Sequence, residues 1–340
     1  MPALELAGAA VRELHGVDPQ AIADDILTST EPLVIRGLVA QWPAVRAARE
    51  SARAGLAYLR AHCRDATVGA WRGAPEIDGR FFYNHDLSGF NFEPQRLKLS
   101  AVLDELERVQ DATRSPALYV GSTTVDTSLP GFRDANDLAL GDRQALMSIW
   151  IGNRTRIAAH HDLPDNLACV TAGRRRFTLF PPGELANLYI GPLDFTPAGQ
   201  AVSLVDFAQP DLERFPRFAQ ALAQARVAEL EAGDAIFIPS MWWHHVEALE
   251  RFNVLVNYWW RQSPAHMDTP ANALLMAMLS VRDLPPAQRQ AWRQLFEHYV
   301  FAADASSFEH IPPAARGGLQ PLDADAARVL RARLLRSLNR

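Results

Sequence analysis

From about residue 117 to 261 the apolar residues fall in short runs with turn residues between them: ALYVGS, ALMSIWIG, NLACVTAG, RRFTLFPP, DAIFIP and NVLVNYWW. Runs this short, with little helical periodicity between them, predict a closed or sandwiched β architecture. One helical insert is expected near 211–228, where PDLERFPRFAQALAQARVA reads as amphipathic. Upstream, Asp18 and Pro19 read as an N-cap and a first helical position, which predicts a helix to about Leu27. PLVIRGL reads as a short buried strand ended by glycine. Helices predicted near 46–62 and 98–110 flank a strand-rich segment that contains GRFFYNHDL. After Ser263 the period becomes helical. Trp292, Leu295, Phe296, Tyr299 and Val300 share one apolar stripe, and Asp323 is placed to cap a last helix carrying Val329, Leu330, Leu334 and Leu335.

The pattern therefore divides the chain into an N-terminal α/β lead-in (1–116), a β region (117–263) and a C-terminal helical region (264–340). The helical region has two readings. It covers an end of the β region, or it pairs two chains as a homodimer.

Composition narrows the partners. Of 340 residues, 48% are hydrophobic and 21% charged, with a net charge of −5. That balance is globular and lacks the basic footprint of a nucleic-acid binder. Cys63 and Cys169 form no CxxC pair, so neither a zinc ribbon nor a thiol redox motif is indicated. MPALELAGAAVREL has no basic segment before an apolar core, and the apolar run near ALLMAML is far too short to span a bilayer. A cytoplasmic protein without a membrane partner is the expectation.

The candidate chemistry starts at TRIAAHHDLPDNLACV, which holds His160 and Asp162 two residues apart. On a strand such residues share a face, so an imidazole and a carboxylate point into one space. WWHHVEAL supplies a third ligand from another strand, His244 or His245. Two histidines and one carboxylate leave metal positions open, which suits non-haem Fe(II). An HxD pair alone is common. His161 and His245 are alternatives by residue type, although on regular strands they face the other way.

The flanking residues add more. Asn166, Gly173 and RRRFTLFPP follow Asp162; LEAGDAIFIPSMWW precedes His244, and NVLVNYWW follows it. In this order the motifs resemble those of the JmjC-type, cupin-like oxygenases. The branch they resemble most contains the asparaginyl hydroxylase that acts on hypoxia-inducible factor. The resemblance implies a mainly β fold, the double-stranded β-helix or jelly roll, with Fe(II), 2-oxoglutarate as cosubstrate and O2. It places the metal on His160, Asp162 and His244. It puts Arg175 where the family has a lysine for the far carboxylate of 2-oxoglutarate, with Tyr119 as a second partner and Asn166 and Asn257 lining the pocket. The family's threonine three residues before the first histidine is Ile157 here, and Thr155 is the nearest threonine. By analogy the substrate is a protein or peptide side chain. A free amino acid or small metabolite is the enzymatic alternative, and a non-catalytic binding module is the other. Trp242, Trp243, Trp259, Trp260 and Cys169 are expected to pack the barrel.

Overall fold

A computed structural model describes residues 8–339 except 65, 198 and 305; the first seven residues of the segment read for a leader lie outside it. Contacts form two compact units, residues 1–262 and 263–340.

The first unit is built on fifteen strands. The early ones are β1 (Ala9–Ala10), β2 (Arg12–His15), β3 (Leu33–Arg36), β4 (Thr67–Gly73), β5 (Arg80–Phe81), β6 (Phe92–Lys98) and β7 (Ala117–Thr124). Then follow β8 (Leu146–Gly152), β9 (Thr155–His160), β10 (Asp165–Ala172), β11 (Arg174–Phe180), β12 (Arg226–Glu231), β13 (Ala235–Ile238), β14 (Trp243–Ala248) and β15 (Asn253–Trp260). They make a six-stranded sheet ordered β1-β12-β11-β14-β9-β5 and a nine-stranded sheet ordered β2-β3-β13-β10-β15-β8-β7-β4-β6. This is the mainly β arrangement implied by the resemblance. The lead-in supplies β1 to β6, so its residues hydrogen-bond into both sheets.

The inner faces meet in one core. Phe177, Leu179 and Val246 from the small sheet pack with Ala168, Val170, Ile236 and Leu255 from the large one. β10 is buried along its whole length because it is covered on both faces, which is why its sequence shows no polar alternation. Helices 43–50, 52–62 and 99–108 cover the outer face of the large sheet. In the last of these Leu99, Val102, Leu103 and Leu106 form the buried stripe.

The outer face of the small sheet is covered by residues 188–225, whose Phe207, Phe215 and Phe218 pack on Phe180 and Trp243. One level across that face carries Glu229, Arg176, Glu247, Arg156 and Arg80 on successive strands. Asp206 of the insert reaches Arg80 at 3.4 Å and Arg156 at 3.2 Å, which clips the insert to the sheet.

Three helical expectations change. The predicted helix from Asp18 shrinks to Asp24–Leu27. Asp18 caps a turn at Gln20 instead, and the Pro19 carbonyl accepts from Ala139 N, a tertiary bond that competes with the helical one. The stretch 46–62 is two helices, broken at an extended Ser51 whose Oγ accepts from Ala54 N. Of 211–228 only Phe218–Gln224 is helix; from Arg226 the chain is β12, where pairing with β11 and β1 overrides the helical period.

Gly173 turns the chain between β10 and β11 at φ +74°. A Cβ there would run into the Asn253 side chain and stand 2.5 Å from the Phe252 carbonyl oxygen. Gly173→Ala is therefore expected to cost about 2–4 kcal/mol, read as a lower urea midpoint at unchanged slope.

In the second unit helices cover Pro270–Ser280, Pro286–Phe296 and Ala324–Leu338, the last capped by Asp323 as expected. Its apolar stripes stay exposed: Leu279, Phe301 and Val329 are 75%, 75% and 68% accessible. Among the described residues only Phe308 and Ala327 of this unit are buried hydrophobics.

Candidate metal centre and pocket

β9 and β14 run antiparallel with His160 opposite His244 and Ile157 opposite Val246. Three steps on β9 thus face two on β14. In a regular strand residues 157 and 160 would lie on opposite faces. Here a bulge at Ala158 and Ala159 turns both alanines to the outer cores and leaves both Ile157 and His160 facing the cavity. An extra residue in one strand re-aims every side chain beyond it, and this one aims a candidate ligand. Ser203 N of the insert holds the bulge from outside, donating to the Ala159 carbonyl at 2.8 Å.

The imidazole rings of His160 and His244 lie 4.3 Å apart, and His244 Nε2 is 3.7 Å from Asp162 Oδ2. One donor atom from each of the three residues lies within 4.8 Å of the others. Each Nδ1 is already engaged, with the Ala158 carbonyl at 2.9 Å for His160 and the Trp242 carbonyl at 3.0 Å for His244. With Nδ1–H donating to a carbonyl, each Nε2 keeps its lone pair for the shared point. Burial, and then the neighbouring His160, holds His244 well below the usual imidazole range, so it is neutral at pH 7. Asp162 is fixed from behind, its carbonyl accepting from Met241 N at 2.9 Å.

The alternative histidines point away. His161 meets the outer-core Trp243 edge-on at 4.5 Å. His245 packs on Phe207 at 4.5 Å behind the sheet, and burial pushes its pKa down to about 3.

A cavity of about 460 Å³ runs inward from these three residues. On β11, Arg175 and Phe177 face into it. Arg174 and Arg176 face out and bond Glu250 (2.8 Å) and Glu229 (2.9 Å). Arg175 is 2% exposed, its Nε has no partner, and among the described residues it makes no ion pair with a carboxylate. Burial lowers its pKa to about 10, and Tyr119 offsets this only in part. The Tyr119 phenol is likewise pushed up by burial. Asn257 accepts from Trp150 Nε1 at 2.8 Å and donates to Asn166 Oδ1 at 3.3 Å, so the two amides form one fixed pair on the wall.

The structure thus gathers His160, Asp162, His244, Arg175, Tyr119, Asn166 and Asn257 around one cavity. Thr155 is not on its wall; it lies a step deeper on β9, opposite Ala248, and Ile157 takes the wall position. Trp259 lines the cavity, whereas Trp243 and Trp260 sit in the outer cores. Trp71 and Trp150 also line it and were not anticipated. Alternation along LMSIWIG carries a weak signal for Trp150; Trp71 comes from the lead-in through long-range pairing that spacing does not reveal.

A family model described as a cupin-like domain matches residues 19–266, and the chain belongs to this cupin-like, JmjC-type family. Among curated proteins it is similar to the lysine-specific demethylase JMJ31 of Arabidopsis thaliana, 33% identical over 150 residues, covering 42% of this chain and 26% of that protein. It is similar to the tRNA wybutosine-synthesizing protein 5 of Gallus gallus, 37% identical over 106 residues, covering 31% and 30%. The human bifunctional peptidase and (3S)-lysyl hydroxylase JMJD7 is 28% identical over 270 residues, covering 69% of this chain and 79% of that protein. The chain spans between a quarter and a third of the first two relatives' length.

Proposed function

We propose that this chain is an Fe(II)- and 2-oxoglutarate-dependent oxygenase that hydroxylates a C–H bond, in the branch typified by the asparaginyl hydroxylase. The observation that carries the reading is Arg175, a buried cation without an anion, on the wall of the cavity that also holds two imidazoles and a carboxylate. A guanidinium left without a counter-charge in a dry site is costly, and a dicarboxylate that also chelates the metal would complete it. The donor set fits iron(II): two imidazole Nε2 atoms and one carboxylate oxygen. Iron, 2-oxoglutarate and O2, when bound, would supply a four-electron reduction of O2 matched by oxidation of the keto acid to succinate and CO2 and of a substrate C–H to C–OH.

The chain's own residues do the rest. His160, Asp162 and His244 hold the metal. Arg175 and Tyr119 take the far carboxylate, and the Asn257–Asn166 pair presents amide groups along the wall. Trp71, Trp150 and Trp259 keep the cavity apolar and limit water.

A protein or peptide substrate is favoured by three side chains that adjoin residues of the lining in register or along the chain. Leu146 pairs with Trp259 of the wall, Met241 is tied to Asp162, and Phe195 precedes Pro197 and Gln200 of the lining. All three are exposed apolar side chains, useful to an extended partner and of no use to an enclosed metabolite. Purified protein given Fe(II), 2-oxoglutarate and O2 is expected to form succinate slowly without substrate. Metal-replete protein that neither binds 2-oxoglutarate nor turns it over would instead be the non-catalytic module.

The reading includes a cytoplasmic setting, without nucleic-acid or membrane partners; no helix among the described residues is long and apolar enough to cross a membrane. It also includes a homodimer through the C-terminal helices, because a unit with so little buried core needs another surface to complete it. Light scattering is expected to give twice the 37.7 kDa chain mass, and Leu330→Asp with Leu334→Asp is expected to return the monomer.

A further inference from the structure

Behind the small sheet, on the face away from the metal centre, lies a set of buried polar atoms without partners. His245 is 5% exposed; its one hydrogen-bonding contact is a poorly aligned one to the Ile157 backbone, beside the bulge, and neither ring nitrogen makes a hydrogen bond of normal geometry, with Arg156, Asp206 and Arg80 also near it. Thr178 is its neighbour across β11 and β14, fully buried, with Oγ1 also unpartnered. Arg80 Nη2 is another buried atom without a partner. Leaving several such groups dry costs about 1–3 kcal/mol each, whereas a buried water commonly makes two to four hydrogen bonds to them. Donors and acceptors are mixed here, the combination water satisfies.

His245 also occupies a particular place in the register. It is the single β14 residue that faces the two bulged residues, Ala158 and Ala159, of β9. The bulge decides whether residue 160 faces the cavity or the outer core. From the insert side Ser203 N holds it; from the β14 side the residue that faces it is His245.

We propose that His245 is a positioning residue: with buried water shared with Thr178 it props the Ala158–Ala159 bulge, and so sets how His160 and His244 present Nε2 to the metal. This rests on the oxygenase reading only for the identity of that metal.

The test begins with a crystal structure of the wild-type protein. Ordered water bonded to a His245 nitrogen is expected; a dry ring overturns the proposal. His245→Phe keeps a ring and removes both nitrogens. It is expected to weaken Mn(II) binding about 10–100-fold and to shift the visible bands of the Co(II) protein. His245→Gln restores a donor and an acceptor and is expected to recover most of that affinity and the wild-type spectrum. Wild-type Mn(II) affinity and Co(II) spectrum in folded His245→Phe overturn the proposal. If that variant does not fold, Thr178→Val decides, since it removes one hydroxyl at constant volume: a shifted Co(II) spectrum supports the proposal and an unchanged one overturns it. Wild-type protein that binds no Mn(II) would end the oxygenase reading instead. The crystal structure of His245→Phe would then decide this one: His160 displaced from its place opposite His244 supports it, and His160 unmoved overturns it.

Discussion

Asp162→Ala is expected to abolish metal binding at concentrations that saturate the wild type, and turnover with it. The carboxylate is the only anionic donor in the set and lies 3.7 Å from the neutral His244. Without it two imidazoles remain, and they cannot offset the charge of a divalent ion. The loss should exceed the roughly 10–100-fold typical of removing a mere support for a ligand. The fold should survive, because the bond from Met241 N reaches the main-chain carbonyl of residue 162, which alanine keeps. The check is thermal unfolding with and without Mn(II). At 100 times its dissociation constant an ion stabilises the wild type by about 2.7 kcal/mol, and the variant should show none of that gain.

Arg175→Leu has two expected effects of opposite sign. The affinity for 2-oxoglutarate should fall about 10²–10³-fold, the range expected when one partner of a buried ion pair is removed. The apo protein should become more stable. A guanidinium whose pKa burial lowers to about 10 costs on the order of 3 kcal/mol in the free protein. The sign is fixed by linkage: a base with a lowered folded-state pKa destabilises the fold at every pH below about 10, and the penalty fades only as pH rises from there to the ordinary guanidinium range. Metal affinity should stay near wild type, because Arg175 lies four residues from Leu179, the partner of His244 on β11. Titration of 2-oxoglutarate into the Mn(II) protein, with a urea melt of the apo protein, reads both effects. An unchanged cosubstrate affinity would move the anchor to another residue, with Tyr119 the first to examine.

His160, Asp162 and Arg175 were legible for different reasons. His160 and Asp162 followed from their spacing and the order of flanking motifs. Arg175 followed from position relative to Gly173, and its neighbours Arg174 and Arg176 turned outward as alternation required. The choice between His244 and His245 rested on a regular strand, and β14 behaves as one. β9 does not. Period-two reasoning puts Ile157 and His160 on opposite faces, and only the inserted residue reconciles them, a feature no hydropathy pattern carries. Thr155 shares the phase of Ile157 but lies a step deeper, opposite Ala248, and does not reach the cavity wall. The lost helices had a common cause. At Pro19 and again at Arg226 a long-range hydrogen bond replaced a local one, and local periodicity contains no information about distant partners.

The interleaving of the sheets bears on how the protein is made. β3, at residues 33–36, is hydrogen-bonded to β13, at residues 235–238. At synthesis rates of about 5–20 residues per second, the first strand waits on the order of 10–40 s for its neighbour. Meanwhile an apolar edge lies unpaired, which makes the nascent chain a natural client for holdase chaperones. On the proposed reading the metal would not be captured early either, since His244 leaves the ribosome about 80 residues after His160 and Asp162. Metal loading would then belong to the last stage of folding, after the two sheets have closed on each other.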